Sequence, residues 1–100
     1  MKIKKVYISG KISGLEFADA YFNFEKAEQY INLLTNHSAV NPMKIEHIHD
    51  QSWESFMVED IRALFSCDAI YLLNNWEESK GARIEKAIAK EMGIEIIYQM

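Results

Sequence analysis

Two carboxylates stand where apolar side chains are expected. Drawn as a helix at ~100° per residue, residues 80–92 gather Gly81, Ala82, Ile88, Ala89 and Met92 on one side, with Glu85 in their midst. Residues 53–65 do the same with Trp53, Phe56, Met57, Ala63 and Leu64, and Asp60 sits among them. Ile61 and Phe65 widen this second face, so Asp60 is less central on it than Glu85 is on its own. A carboxylate is costly to desolvate and is seldom placed on an apolar face unless it is paired or functional. Two that meet in one crevice suit an acid–nucleophile pair, one group protonated and the other ionised. The plainer alternative is that both lie at helix boundaries and reach solvent.

The elements that must position them alternate along the chain. Val6-Tyr7-Ile8-Ser9 is a short β-prone run, and Gly10-Lys11-Ile12-Ser13-Gly14 reads as the loop after it. From about Leu15 to Thr35, Phe17, Ala20, Tyr21, Phe24, Ala27, Ile31 and Leu34 recur three or four apart, which predicts an amphipathic helix. Ala39-Val40 is a minimal second strand closed by Asn41-Pro42, and residues 43–52 read as a loop. Ser52 caps a helix over Trp53–Phe65; Ala69–Leu73 is a continuous apolar strand of the kind buried on both faces. After the loop Asn74–Glu78, Ser79 caps a helix over Lys80–Met92, Gly93 ends it, and Ile94–Tyr98 is the last strand. Such β-α-β alternation favours one parallel sheet with right-handed crossovers, and it brings the N-terminal halves of the helices to the carboxyl edge of the strands. Open α/β sheets bind their ligands at that edge.

Composition narrows the function classes. One hundred residues make a single domain over 1–100, and the apolar and charged fractions are those of an ordinary globule. No apolar run approaches the roughly 20 residues of a membrane helix. The lone Cys67 and the lack of a signal-like start fit a reducing, cytoplasmic setting, with Cys67 as core packing. Net charge is −4 with Lys and Arg scattered, which argues against polymeric nucleic acid as partner. The glycine loop is neither a Walker A motif nor G-x-G-x-x-G, so no nicotinamide or NTP cofactor is expected. His47-x-His49 with Asp50 and Glu46 lacks a distant Cys/His pair and reads as a solvated loop instead of a metal site.

The string Cys67-Asp68-Ala69-Ile70-Tyr71-Leu72-Leu73, followed by Trp76-Glu77-x-Ser79-Lys80-Gly81-Ala82-Arg83-x-Glu85, resembles a family of small bacterial and phage proteins. That family is similar to the nucleoside 2-deoxyribosyltransferases and the nucleotide N-glycosidases. Tyr7–Gly14, Asn41-Pro42 and Trp53-x-x-Phe56-Met57-x-x-Asp60-Ile61 follow the same pattern. The resemblance implies a flavodoxin-like three-layer α/β/α fold with a four-stranded parallel sheet in the order 2-1-3-4. It implies Glu85 as nucleophile, Asp60 as the group that moves a proton to the base, and a homodimer or larger assembly. The ligand would be a nucleoside or nucleotide. Its sites would include the amides of Ser9, Gly10 and Gly14 with the Ser13 hydroxyl, and the charges of Lys11 and Arg83; Tyr7 and Trp76 read equally as stacking platforms or as a core tyrosine and a loop tryptophan covering a helix end. Ser79 and Gly81 complete the segment before Glu85. Three departures stand out: Ser79 where transferases carry a sugar-binding aspartate, Gly10-Lys11 in place of Gly-Pro, and four strands where five are usual. A noncatalytic module that binds a nucleotide-like ligand is the competing reading.

Overall fold

In the computed structural model, which describes residues 3–46 and 52–100, the central strand β1 (Lys5–Ser9) is buried from Val6 to Ser9. It is flanked by two parallel partners, β2 (Ser38–Val40) and β3 (Ala69–Leu72), and β3 pairs in turn with the parallel edge strand β4 (Glu95–Tyr98). The order is β2-β1-β3-β4, as the resemblance implied. Val6 lies opposite Ala69 and Ser9 opposite Leu72. β3 is buried along its whole length, whereas β4 is partly exposed and pairs on one side only.

Side chains alternate across each strand, so the two faces build separate cores. On one face Val6, Ile8, Ala69 and Tyr71 pack with Phe24, Ala27 and Ile31 of helix α1 (Phe17–Leu34). On the other, Tyr7, Ile70 and Leu72 meet Leu64 of α2 (Trp53–Phe65) and Ala89 of α3 (Lys80–Met92). One helix on one face and two on the other make the flavodoxin-like three-layer arrangement.

The local signals work as physical devices. Ser52 Oγ accepts the Ser55 amide and Ser79 Oγ accepts the Ala82 amide, each satisfying a donor that the helix start leaves unpaired. Gly93 ends α3 at φ 74°, a left-handed conformation open to glycine at little cost. α1 is shorter than its apolar pattern suggests. Leu15 is held in a turn by the hydrogen bond its N–H donates to the Ile12 carbonyl, and Asn36, at φ 61°, turns the chain after Thr35. The segments read as plain loops contain two short 3-10 turns, Pro42–Lys44 and Trp76–Glu78. In the first, Asn41 Oδ1 accepts the Met43 amide and its Nδ2 donates to Glu28, fixing the end of β2 onto α1. Cys67 is buried in the core beneath α2. His47, His49 and Asp50 lie outside the described residues. Among the described residues no helix is long and apolar enough to cross a membrane.

Candidate functional site

A cleft of about 560 Å³ opens at the carboxyl end of β1, walled by α1, α2, α3, the first loop and the Pro42–Met43 turn. Glu85 forms its polar base. On α3 it falls in the series Ala82, Glu85, Ala89, three and four residues apart, which is the buried face. Its side chain is thereby directed at the sheet, and it is only 5% exposed. Tyr7 and Ser9 are two residues apart on β1 and therefore point to the same side. The Tyr7 hydroxyl donates to Glu85 Oε2 at 3.0 Å and the Ser9 hydroxyl to Oε1 at 2.7 Å. Both carboxylate oxygens are thus held by rigid, buried donors.

Burial pushes Glu85 up from an ordinary 4.5 to about 7, against the opposing pull of the Ser9 and Tyr7 hydrogen bonds. Asp60, half-buried on α2, is also raised to about 7, first by burial, then by the negative charge of Glu85 and of Glu59. The two hydroxyl donors favour the ionised form of Glu85, and that charge in turn favours the protonated form of Asp60. Glu85 ionised with Asp60 protonated is the favoured single-proton state of the pair. Tyr7 is held well above its usual range by burial and by the Glu85 and Asp60 charges, so it remains a donor.

The structure brings together on the cleft wall Glu85, Asp60, Tyr7, Ser9, Gly10, Ser13, Ser79 and Gly81. Four other residues with expected ligand roles are absent from this wall. Lys11 Nζ sits 3.4 Å from Glu78, and its amide donates to Asn75. Arg83 Nη1 donates to the Glu77 carbonyl, tying α3 to the preceding turn. Gly14 is an exposed turn residue at φ 91°. Trp76 packs against the core beneath α3, with Tyr98 at 6.2 Å and the Lys86 ammonium at 4.8 Å from its ring.

Much of the wall is apolar and was not anticipated. Phe24, Met43, Phe56 and Met57 line it, and at its lip stand Ile12, Trp53 and Phe17, the last 72% exposed. Lys80 Nζ lies 4.8 Å above the Trp53 ring, joining the starts of α2 and α3 across the mouth. Trp53, Phe56 and Met57 share a helical stripe with Asp60, so a signal for them existed; Met43 lay in a stretch without periodicity. Among the described residues no cluster of three or more His, Cys, Asp or Glu side chains is placed to hold a metal ion.

Residues 4–98 match a family described as a domain of unknown function, DUF4406. The chain belongs to the DUF4406 family. No curated protein matches this DUF4406 domain. Among solved structures it is similar to a 2-desoxiribosyltransferase from Leishmania mexicana, at 20% identity and a TM-score of 0.65. The alignment covers 95% of the DUF4406 domain and 63% of the Leishmania chain. The domain therefore spans less than two thirds of that enzyme chain and shares its fold.

Proposed function

We propose that this protein cleaves the base–sugar bond of a nucleoside or nucleotide, as an N-glycosidase or a deoxyribosyltransferase-like enzyme. The observation that carries this reading is one buried carboxylate, Glu85, gripped by Tyr7 and Ser9 at the base of an apolar cleft that Asp60 also lines. Ionised Glu85 attacks the anomeric carbon as the C–N bond breaks, and the charge developing on that carbon draws the carboxylate in. Asp60 gives its proton to the departing base, and the sugar is left as an ester on Glu85. Water, deprotonated by Asp60, releases a free sugar; a second base releases a new nucleoside. The apolar wall suits a stacked base, and Ser13 on the cleft wall supports a hydroxyl contact to the sugar. Phe17, exposed at the lip, supports the further reading that a second copy of the chain completes the cleft.

Such a pair requires Glu85 ionised and Asp60 protonated, so base release peaks near pH 7 and falls on both sides. The test is incubation with a panel of nucleosides and their 5′-monophosphates, with free base measured by chromatography. Release by the wild type and its loss in Glu85→Gln are expected; release that persists in Glu85→Gln removes Glu85 from the mechanism. The competing reading, binding without turnover, is favoured by Ser79. It replaces an acid, and its hydroxyl oxygen caps α3. Tight binding with no base release by either form would establish that alternative.

A further inference from the structure

Gly81 is the second residue of α3, and its φ is not in the left-handed region. Conformational freedom therefore does not explain a glycine there, and glycine is among the poorest helix formers. What stands beside it does. A Cβ at position 81 would lie 3.0 Å from Met57 Sδ and 3.8 Å from Met57 Cε, the first well inside ordinary contact distance. Met57 is 8% exposed and belongs to α2, which packs directly on α3.

The position of this contact gives it leverage. Met57 precedes Asp60 by three residues and Gly81 precedes Glu85 by four, so the contact lies one helical turn before each carboxylate. α2 packs on α3 here, and the Met57 thioether occupies the space that the glycine leaves. A methyl group added there requires the Met57 thioether to give by a few tenths of an ångström, one turn away from the two acids, either by turning its side chain or by parting α2 from α3.

The geometry points to Gly81 as a positioning residue: its missing side chain seats the Met57 thioether in a notch between α2 and α3, and this notch sets the gap between Asp60 and Glu85. The catalytic meaning of that gap rests on the function proposed above; the notch itself does not. A bare backbone kept free for ligand approach is the rival explanation for the glycine, since Gly81 also lines the cleft.

Carboxyl-carbon NMR titration of the ligand-free protein separates the two. The groups acting on Asp60 include Glu85 across the gap, Glu59 on its own helix and Tyr7 on β1; Glu85 faces the Tyr7 and Ser9 hydroxyls of β1. Widening the gap in Gly81→Ala weakens the repulsion between the two ionised acids and lowers the upper apparent pKa of the pair. For two like charges within the roughly 4–6 Å over which neighbours shift each other's pKa, and an effective dielectric of about 20, the drop is on the order of a few tenths of a pH unit per ångström of widening. Met57→Ala added to Gly81→Ala makes room for the methyl group and restores the wild-type titration. An unchanged or raised value in Gly81→Ala, as when Met57 merely swings into the cleft or the glycine serves only the ligand, overturns the inference. So does failure of the second substitution to restore it. If Gly81→Ala alone does not fold, rescue of folding by Met57→Ala supports the notch and absence of rescue overturns it. A titration that behaves as expected in a protein that releases no base retains the notch and removes only the reaction.

Discussion

Replacing Glu85 by glutamine should stabilise the protein at alkaline pH and leave it nearly unchanged in acid. In the native state the Glu85 carboxyl is raised from 4.5 to about 7, so the folded chain binds its proton more tightly than the unfolded chain does. A group raised in this way contributes its full stability below pH 4.5 and loses it as pH rises through about 7. At about 1.4 kcal/mol per pH unit, the native state forfeits roughly 3 kcal/mol by pH 8. Glutamine has the same shape, cannot ionise, and can still meet both hydroxyls. At pH 8, Glu85→Gln should thus gain up to about 3 kcal/mol, on the order of 10–20 °C in Tm for a domain of this size. At pH 4 the wild-type carboxyl is itself neutral, and the difference should shrink to a few tenths of a kcal/mol. The release of Asp60 from the Glu85 charge acts in the same direction and adds to the gain. Denaturant unfolding of both proteins at pH 4, 6 and 8 measures it. A gain independent of pH, or a loss at pH 8, would refute the reasoning that Glu85 is a desolvated carboxylate held at a cost to stability.

Two further outcomes test the supports of the site. Tyr7→Phe keeps the buried ring but removes the donor that lowers the Glu85 pKa, so the Glu85 titration should move above about 7; a carboxyl-carbon titration showing no change or a decrease would contradict the role given to this hydroxyl. Gly10→Ala places a Cβ 2.5 Å from Leu73 at the junction of β1 and β3, and the overpacking should destabilise by about 1–3 kcal/mol in denaturant unfolding. Wild-type stability in that variant would mean the two strand ends can part freely.

The helices carrying the acids could be read closely from the sequence because their ends are marked chemically. Ser52, Ser79 and Gly93 each do at a helix end what their side chain, or its absence, makes favourable, and α2 and α3 run over the residues expected. Glu85 was visible as a polar break in an apolar stripe, a pattern confined to four turns of helix. Its partners were not. Tyr7 and Ser9 stand 78 and 76 residues away, and only the register of β1 against the helices tells which strand face meets Glu85. Without that register Tyr7 reads equally as a core tyrosine or a stacking ring, and Ser9 as a loop amide. Trp76 is open in the same way to two readings, a stacking ring or a cover over a helix end, and Tyr98 and the core beneath α3 lie against it. Phe17 belongs to the apolar pattern of α1 yet is exposed, because it begins the helix at the cleft lip, beyond the buried residues that start at Ala20.

The alternation of β1 has a consequence for folding itself. Tyr7 and Ser9 face Glu85 while Val6 and Ile8 face α1, so a slip of one residue would set isoleucine and valine against the carboxylate and turn the tyrosine toward the opposite core. Both cores would then be mispacked and a buried acid would lose the Tyr7 and Ser9 donors at one stroke. Pairing β1 in the wrong register is therefore penalised twice, by apolar packing and by an orphaned charge. The acid that burdens the native state thus makes a misaligned strand costlier still. The contacts that build the site therefore also discriminate the register of the central strand.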